Sequence, residues 1–323
     1  MKKEVLELLN RKKGVPVSGL AIGKQLGVSR NAVWKAVNQL KKEGYDITSI
    51  PNKGYMLSVS SDILDIEVIQ SHLKTKQLGR EMKLLPVVDS TNNYLKRKAN
   101  ELPDGFAILS QKQTGGRGRM ERHFYSPPQS GIYMSFIIRL HRSFDAVSLL
   151  TVIAAVSVAQ AIKQTAGFEP EIKWVNDVLY RGKKLCGILT EASIEAETGL
   201  VDYAIVGIGI NVSGVAEEIK EIAGYINEFS SLPCSRNLLA AAVLNQFEEL
   251  YLSYAEQGNR AKIINNYRQL LNVFGKEYDI ISPRSSYPAT PIDIDEDARL
   301  IVRDQNGRLH TVHSGEISIR PKL

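Results

Sequence analysis

The segment Gln113-Thr114-Gly115-Gly116-Arg117-Gly118-Arg119 sets two guanidinium groups among three glycines, directly after the apolar run Phe106 to Ser110. Glycine lets the backbone take positive φ and come close to a ligand, so that amides aim at negative charge. Each arginine adds a planar fork of donors that fits a carboxylate or a phosphate. Arg117 and Arg119 stand two apart, so in an extended loop they face one side and can grip two anionic groups together. A flexible Gly/Arg nucleic-acid-binding segment shares this composition, but such segments are long and repetitive, whereas this is one pass between two strand-like runs. The P-loop spacing occurs nowhere in the chain, and Gly207-Ile208-Gly209 lacks the third glycine of a dinucleotide fingerprint.

Four more polar constellations punctuate the apolar runs. Asp89-Ser90-Thr91-Asn92 opens a helical pattern; its hydroxyls cap that helix or hydrogen-bond a neutral polar ligand, and capping is the commoner use. Lys173-Trp174-Val175-Asn176-Asp177 puts a cation, an amide and a carboxylate beside an aromatic, although Asn176-Asp177 is also an ordinary turn pair. Lys184, after the Arg181-Gly182-Lys183 turn, begins an otherwise apolar strand. Such a lysine is either an edge-strand gatekeeper or, aimed into a cleft, a counter-charge for an anion. Gly207-Ile208-Gly209-Ile210-Asn211 is an apolar strand whose glycines admit a flat ligand close to the backbone.

The elements that must position these groups alternate in type. Strands are expected over Lys83–Val88, Phe106–Ser110, Gly131–Ile138, Leu185–Thr190 and Ala204–Ile210, and helices over Thr91–Ala99, Val147–Thr165 and Leu238–Ser253. With the polar linker Ser58–Asp62 before them, they predict a mixed α/β domain over residues 64–271. The stretch Val147 to Ile162 is broken by Ser148, Thr151, Ser157 and Gln160, is too short to span a bilayer, and reads as a buried helix. Cys186 and Cys234 read as reduced thiols, and the polar start Met1-Lys2-Lys3-Glu4 lacks a signal-peptide apolar region. A cytoplasmic protein without membrane association is expected, and no metal ligands are assigned.

Charge divides the chain unevenly. Residues 1–60 carry 11 Lys and Arg against 4 Asp and Glu, a net +7, whereas the whole chain is +6. A basic module on a near-neutral body predicts a polyanion partner for that module. Its apolar positions Val5, Leu6, Leu8 and Leu9 mark a first helix. Ser18 and Gly27 bracket a second, and Ser29 caps a third that Gly44 ends. Two short helices joined by Gly27-Val28-Ser29, then a turn at Pro51-Asn52-Lys53-Gly54 between strand-like runs, make a winged helix-turn-helix. Ser29, Arg30, Asn31, Lys35, Asn38 and the wing-tip Lys53 are the candidate DNA contacts.

In order and spacing these motifs, with the terminal Gly315-Glu316-Ile317-Ser318-Ile319-Arg320, resemble the bifunctional biotin protein ligases that also repress the biotin operon. The resemblance runs along essentially the whole chain. It implies a class II synthetase-like α/β ligase domain behind the winged helix-turn-helix of residues 1–60, and a carboxy-terminal SH3-like β-barrel over residues 272–323. The strand patterns Tyr278–Ser282, Pro291–Ile294, Leu300–Arg303 and Leu309–Val312 agree with such a barrel. It further implies that ATP with Mg²⁺ converts biotin to biotinyl-5′-AMP, which is passed to a lysine of a biotin carboxyl carrier protein. The adenylate would double as corepressor, pairing two chains on operator DNA as a homodimer. Ser90, Thr91, Asn92, Gln113, Arg117, Gly118 and Arg119 would hold biotin, with Lys184 at its carboxylate. Arg119, Phe124, Asn176, Asn211 and Arg320 would serve the nucleotide, and Lys184, Arg117, Arg119 and Asp177 the chemistry. Three departures stand out: Val175 replaces the family's proline, Met120-Glu121 follows Arg119 where glycine is usual at the second position, and Phe124 replaces an adenine-stacking tryptophan. Two other activities fit the same residues: a biotin-sensing transcription factor without catalysis, and a ligase for a related acyl cofactor such as lipoate.

Overall fold

The side chain of Ser18 accepts a hydrogen bond from the Ala21 amide at 3.0 Å and starts a short helix, which ends two turns later on Gly27 in the left-handed conformation. This segment belongs to the first of two compact units, Met1–Ile63 and Leu64–Leu323, of a computed structural model that describes residues 1–42, 44–58, 61–142, 145–281, 286–313 and 318–321. The first unit holds α1 (Lys2–Arg11), α2 (Gly19–Leu26) and α3 (Arg30–Lys42), followed by the hairpin β1 (Ile47–Ile50) and β2 (Gly54–Leu57). Ser29 caps α3 through the Ala32 amide at 3.2 Å. Val5, Leu9, Ile22, Val33, Val37, Leu40 and Leu57 close one small core. Val17 pairs with Tyr55 through both backbone hydrogen bonds, and a Cβ at Gly54 would overlap the Val17 carbonyl, so the wing turns on a glycine in the left-handed half of the map.

The second unit is built on a seven-stranded sheet of order β3-β4-β5-β9-β8-β7-β6. Its strands are β3 (Met82–Leu85), β4 (Ala107–Ser110), β5 (Gly131–Arg142), β6 (Glu171–Lys173), β7 (Asp177–Tyr180), β8 (Lys183–Ile194) and β9 (Val201–Asn211). Only the β3–β4 pair is parallel. The short α4 (Ile66–Ser71) leads in; α5 (Thr91–Lys98) packs on one face, where Leu95 meets Ile108 and Ile205. The other face carries α6 (Asp145–Ala166) and α8 (Arg236–Gln257), with α7 (Ile226–Phe229) and α9 (Arg260–Leu270) beside them. Alternation along β9 sorts the two faces: Ala204, Val206, Ile208 and Ile210 enter the large core, while Ile205, Gly207, Gly209 and Asn211 turn toward the α5 side.

α6 spans 22 residues, longer than the sequence pattern indicated. By length and composition its Ala146–Ala166 stretch could cross a membrane; 83% of its most apolar window is buried inside the protein, so its apolar side chains already have partners. The last strands, β10 (Tyr278–Ile281), β11 (Ser286–Ile294), β12 (Leu300–Asp304), β13 (Leu309–Val312) and β14 (Ser318–Pro321), form an antiparallel sheet of order β13-β12-β11-β10-β14. Its apolar residues, among them Ile280, Leu300 and Val302, join the large core of the second unit. Ser282, Gly315, Glu316 and Ile317, singled out above, lie outside the described residues.

Candidate active site

Gly207 and Gly209 leave a bare strip of backbone on the α5 side of the sheet. In register with them lie Ser135 and Tyr133 of β5 on one side and Leu189 and Gly187 of β8 on the other. Over this strip opens a cleft of about 550 Å³.

Its polar end is built at the start of α5. Ser90 is the N-cap, 3.5 Å from the Asn93 amide, so the capping use is real. Thr91 faces Gln113, whose Oε1 accepts from the Thr91 amide at 2.9 Å and lies 3.1 Å from its hydroxyl. Asn92 is held on every side: Ser135 donates to its Oδ1 at 2.6 Å, and its Nδ2 donates to Glu191 at 2.8 Å and to the Leu189 carbonyl at 3.2 Å. Gln113 then donates to Ser126 at 2.9 Å, and Ser126 to the Phe124 carbonyl at 3.0 Å. Sequence reasoning missed Ser135 and Ser126. A lone serine at an odd position of the apolar run Ile132 to Phe136 was the available signal for Ser135.

The glycine–arginine loop is not an extended ribbon. Gly116 and Phe124 are hydrogen bonded across it, Arg117 bridges His123, and Gly118 donates to the Arg122 carbonyl at 2.7 Å. Its tip is a 3-10 turn, Arg119–Glu121, with Met120 at φ 53°. Gly118 between the arginines keeps extended dihedrals and both arginines line the cleft, but they differ in burial: Arg117 is exposed at the rim, whereas Arg119 is half-buried and donates to Asn176 at 3.2 Å. Burial lowers the proton affinity of the Arg119 guanidinium, with the Asp177 charge opposing it. A partly desolvated cation of this kind gains from an arriving anion. Arg122, another lining residue, was also missed.

Lys184 resolves its two expectations. β8 lies between β7 and β9, so Lys184 is no edge-strand gatekeeper, and its Nζ sits 2.7 Å from Asp177 Oδ1. The pair lies in the cleft close to Gly187, where a Cβ would come within 3.1 Å of the ammonium. The neighbouring Cys186 thiol is fully buried, and burial pushes its pKa up despite the Lys184 charge, so it is not poised as a nucleophile. Phe124 revises the flat-ligand expectation. Its ring, rather than an open slot, covers Gly209, where a Cβ would stand 2.5 Å from the ring.

Asn176 and Asn211 both line the cleft and are tied to backbone, Asn176 to Ile188 at 2.8 Å and Asn211 to Gly224 at 3.1 Å. The turn carrying Asn176 and Asp177 is firm despite Val175. Tyr267 of α9 donates to the Val175 carbonyl at 2.9 Å, and Trp174 donates to the Ala298 carbonyl at 3.0 Å. Tyr267→Phe is expected to leave that buried carbonyl unpaired and to lower unfolding free energy by about 1–3 kcal/mol; a urea midpoint equal to that of the parent protein would contradict this. Arg320 lies in β14 opposite Asp279, but its side chain is outside the described atoms.

In the first unit, Arg30, Asn31, Lys35 and Lys53 are exposed and Asn38 half-buried. Ser29 spends its hydroxyl on the cap of α3. Trp34, absent from the candidates above, is 52% exposed.

The Biotin/lipoate A/B protein ligase family matches residues 84–211, and an HTH domain matches residues 2–56. The bifunctional ligase/repressor BirA of Bacillus spizizenii is 33% identical over 99% of this chain and 98% of its own length. That of Bacillus subtilis is 36% identical over 80% of each chain. Among solved structures, biotin protein ligase from Aquifex aeolicus in complex with biotin and ATP superposes with a TM-score of 0.66 at 26% identity, covering 75% of this chain and all of its own. The chain belongs to the bifunctional ligase/repressor family of biotin protein ligases.

Proposed function

We propose that the chain activates biotin with ATP, forming biotinyl-5′-AMP, and transfers the biotinyl group to a lysine of a biotin carboxyl carrier protein. The supporting observation is the gathering of Arg117, Arg119 and Lys184 around one cleft that Gly187, Gly207 and Gly209 also line. In this reading residues 1–60 bind DNA, residues 64–271 catalyse, and residues 272–323 complete the body. Thr91, Asn92 and Gln113, with Ser90 and Gly118, form the polar end that takes the uncharged head of biotin. Arg119, Phe124, Asn176, Asn211 and Arg320 serve the nucleotide.

The electrostatic task is to bring a carboxylate to a triphosphate. Arg117, Arg119 and Lys184 offset the repulsion and stabilise charge building at the α-phosphorus. One carboxylate oxygen forms the new P–O bond as the bond to pyrophosphate breaks. The carrier amine then attacks the acyl carbon of the mixed anhydride; a C–N bond forms, the C–O bond breaks, and AMP leaves with the electron pair. Lys184 faces the oxyanion of this second step, and Asp177 orients the Lys184 ammonium. Among the described residues no three His, Cys, Asp or Glu side chains gather, and Asp177 is already paired with Lys184. These residues fit a Mg²⁺ carried on the phosphates rather than one caged by protein. Bound there, the ion supplies neutralisation of phosphate charge.

Biotin-dependent exchange of pyrophosphate into ATP, and a mass gain on a recombinant carrier domain that requires both biotin and ATP, test the reading. Biotin binding without either product would overturn it. The adenylate is also the corepressor in this reading, with two cytoplasmic chains pairing on operator DNA. Sedimentation velocity is expected to give a monomer for the free chain and a homodimer with the adenylate; one mass in both states would remove the coupling.

A further inference from the structure

α3 presents two unlike faces. Val33, Ala36, Val37 and Leu40 are buried in the module core. Asn31, Trp34, Lys35 and Asn38 follow one another at helical spacing along the opposite side, and three of the four are exposed. An indole in the middle of a polar stripe keeps a large apolar surface in water, where packing inward would have been favourable. The charge around it is basic: Arg30, Lys35 and the wing-tip Lys53 are all exposed, within a segment of net +7. A partner for this surface must therefore be a polyanion that also offers an apolar group. A double-stranded DNA major groove does so, because each thymine projects a 5-methyl group among polar base edges.

Resting on the DNA-binding reading, we infer that Trp34 is a specificity-determining residue that packs on thymine methyl groups in the major groove. Asn31 and Asn38 supply directional hydrogen bonds to neighbouring base edges, while Arg30, Lys35 and Lys53 bind phosphate without regard to sequence. The consequence is a division of labour. Loss of the indole costs recognition of the right sequence and leaves general DNA affinity intact.

The chain has two tryptophans, and the other, Trp174, is 5% exposed in the second unit. Red-edge emission therefore reports Trp34. With the full chain supplied with biotin and ATP, a duplex selected from random sequences is titrated, and quenching of that emission is expected to follow the binding isotherm. Trp34→Ala is expected to bind the selected duplex about tenfold more weakly, with unselected duplex affinity and carrier biotinylation unchanged, and Trp34→Phe to recover part of the loss. The same duplex with uracil in place of thymine is expected to bind the parent protein about tenfold more weakly and Trp34→Ala no more weakly than the thymine form. Independent, additive losses from the two changes would overturn the assignment, as would unquenched emission. Emission that shifts with protein concentration alone would assign Trp34 to self-association and overturn it as well. Absence of any salt-dependent duplex binding by the parent protein would remove the DNA-binding reading itself, and this inference with it.

Discussion

Lys184→Ala is expected to slow single-turnover formation of biotinyl-5′-AMP by about 10²–10³-fold at saturating ligands, the cost of losing one preorganised charge at a reacting centre. Biotin affinity should change far less. In this reading the head of the vitamin is held at the other end of the cleft, where Thr91 and Gln113 are fixed by neutral hydrogen bonds and Asn92 donates to the Glu191 carboxylate. Two effects add in this variant. The ammonium that faces the attacking carboxylate is gone, and Asp177, 2.7 Å from it in the parent protein, loses its ion-pair partner. A Lys184→Ala/Asp177→Asn double variant separates them: it removes the repulsion and is expected to bind nucleotide better than the single variant without regaining its rate. Rapid quench with α-labelled ATP measures both. An undiminished adenylation rate in Lys184→Ala would take this residue out of the mechanism.

The second large effect is steric. A Cβ added at Gly207 would overlap the Asn92 carboxamide. Asn92 has nowhere to retreat, because Ser135, Glu191 and the Leu189 carbonyl hold it from three directions. Overpacking of this kind costs about 1–3 kcal/mol. Gly207→Ala is therefore expected to lose roughly 10- to 100-fold in biotin affinity, or to show the same free energy as a lowered urea midpoint where Asn92 wins its place. Gly214→Ala is the control, since no atom lies within 4 Å of its added Cβ. Wild-type affinity and stability together in Gly207→Ala would refute the clamped geometry.

The parts of this molecule written in local chemistry were legible. Ser18, Gly27 and Ser29 mark helix ends because a cap needs one hydroxyl or one left-handed residue, and both stand beside the helix they close. The glycines of β9 were likewise visible as places of close approach. What approaches them was not: Asn92 and Phe124 reach Gly207 and Gly209 from distant parts of the chain. Lys184 read as a gatekeeper or a counter-charge because sheet order is a non-local property; pairing with β7 and β9 on either side decides it. The unequal burial of the two loop arginines was not legible, because it depends on Asn176, far along the chain, meeting Arg119. α9 escaped notice since its buried Ile263, Ile264 and Tyr267 are embedded in a polar sequence, and β6 and β7, at three and four residues, are too short to show a period. Trp34 was passed over because aromatic residues at helical spacing usually face inward; its accessibility depends on which side of α3 the module fills.

The bare strip along β9 also limits how this protein could be redesigned. The strip itself has no side chain to swap, and what covers it comes from elsewhere in the chain, Phe124 over Gly209 and the Asn92 carboxamide over Gly207. Retuning toward a bulkier or differently substituted vitamin analogue must therefore come from side chains that line the cleft, Phe124 and Leu189 among them.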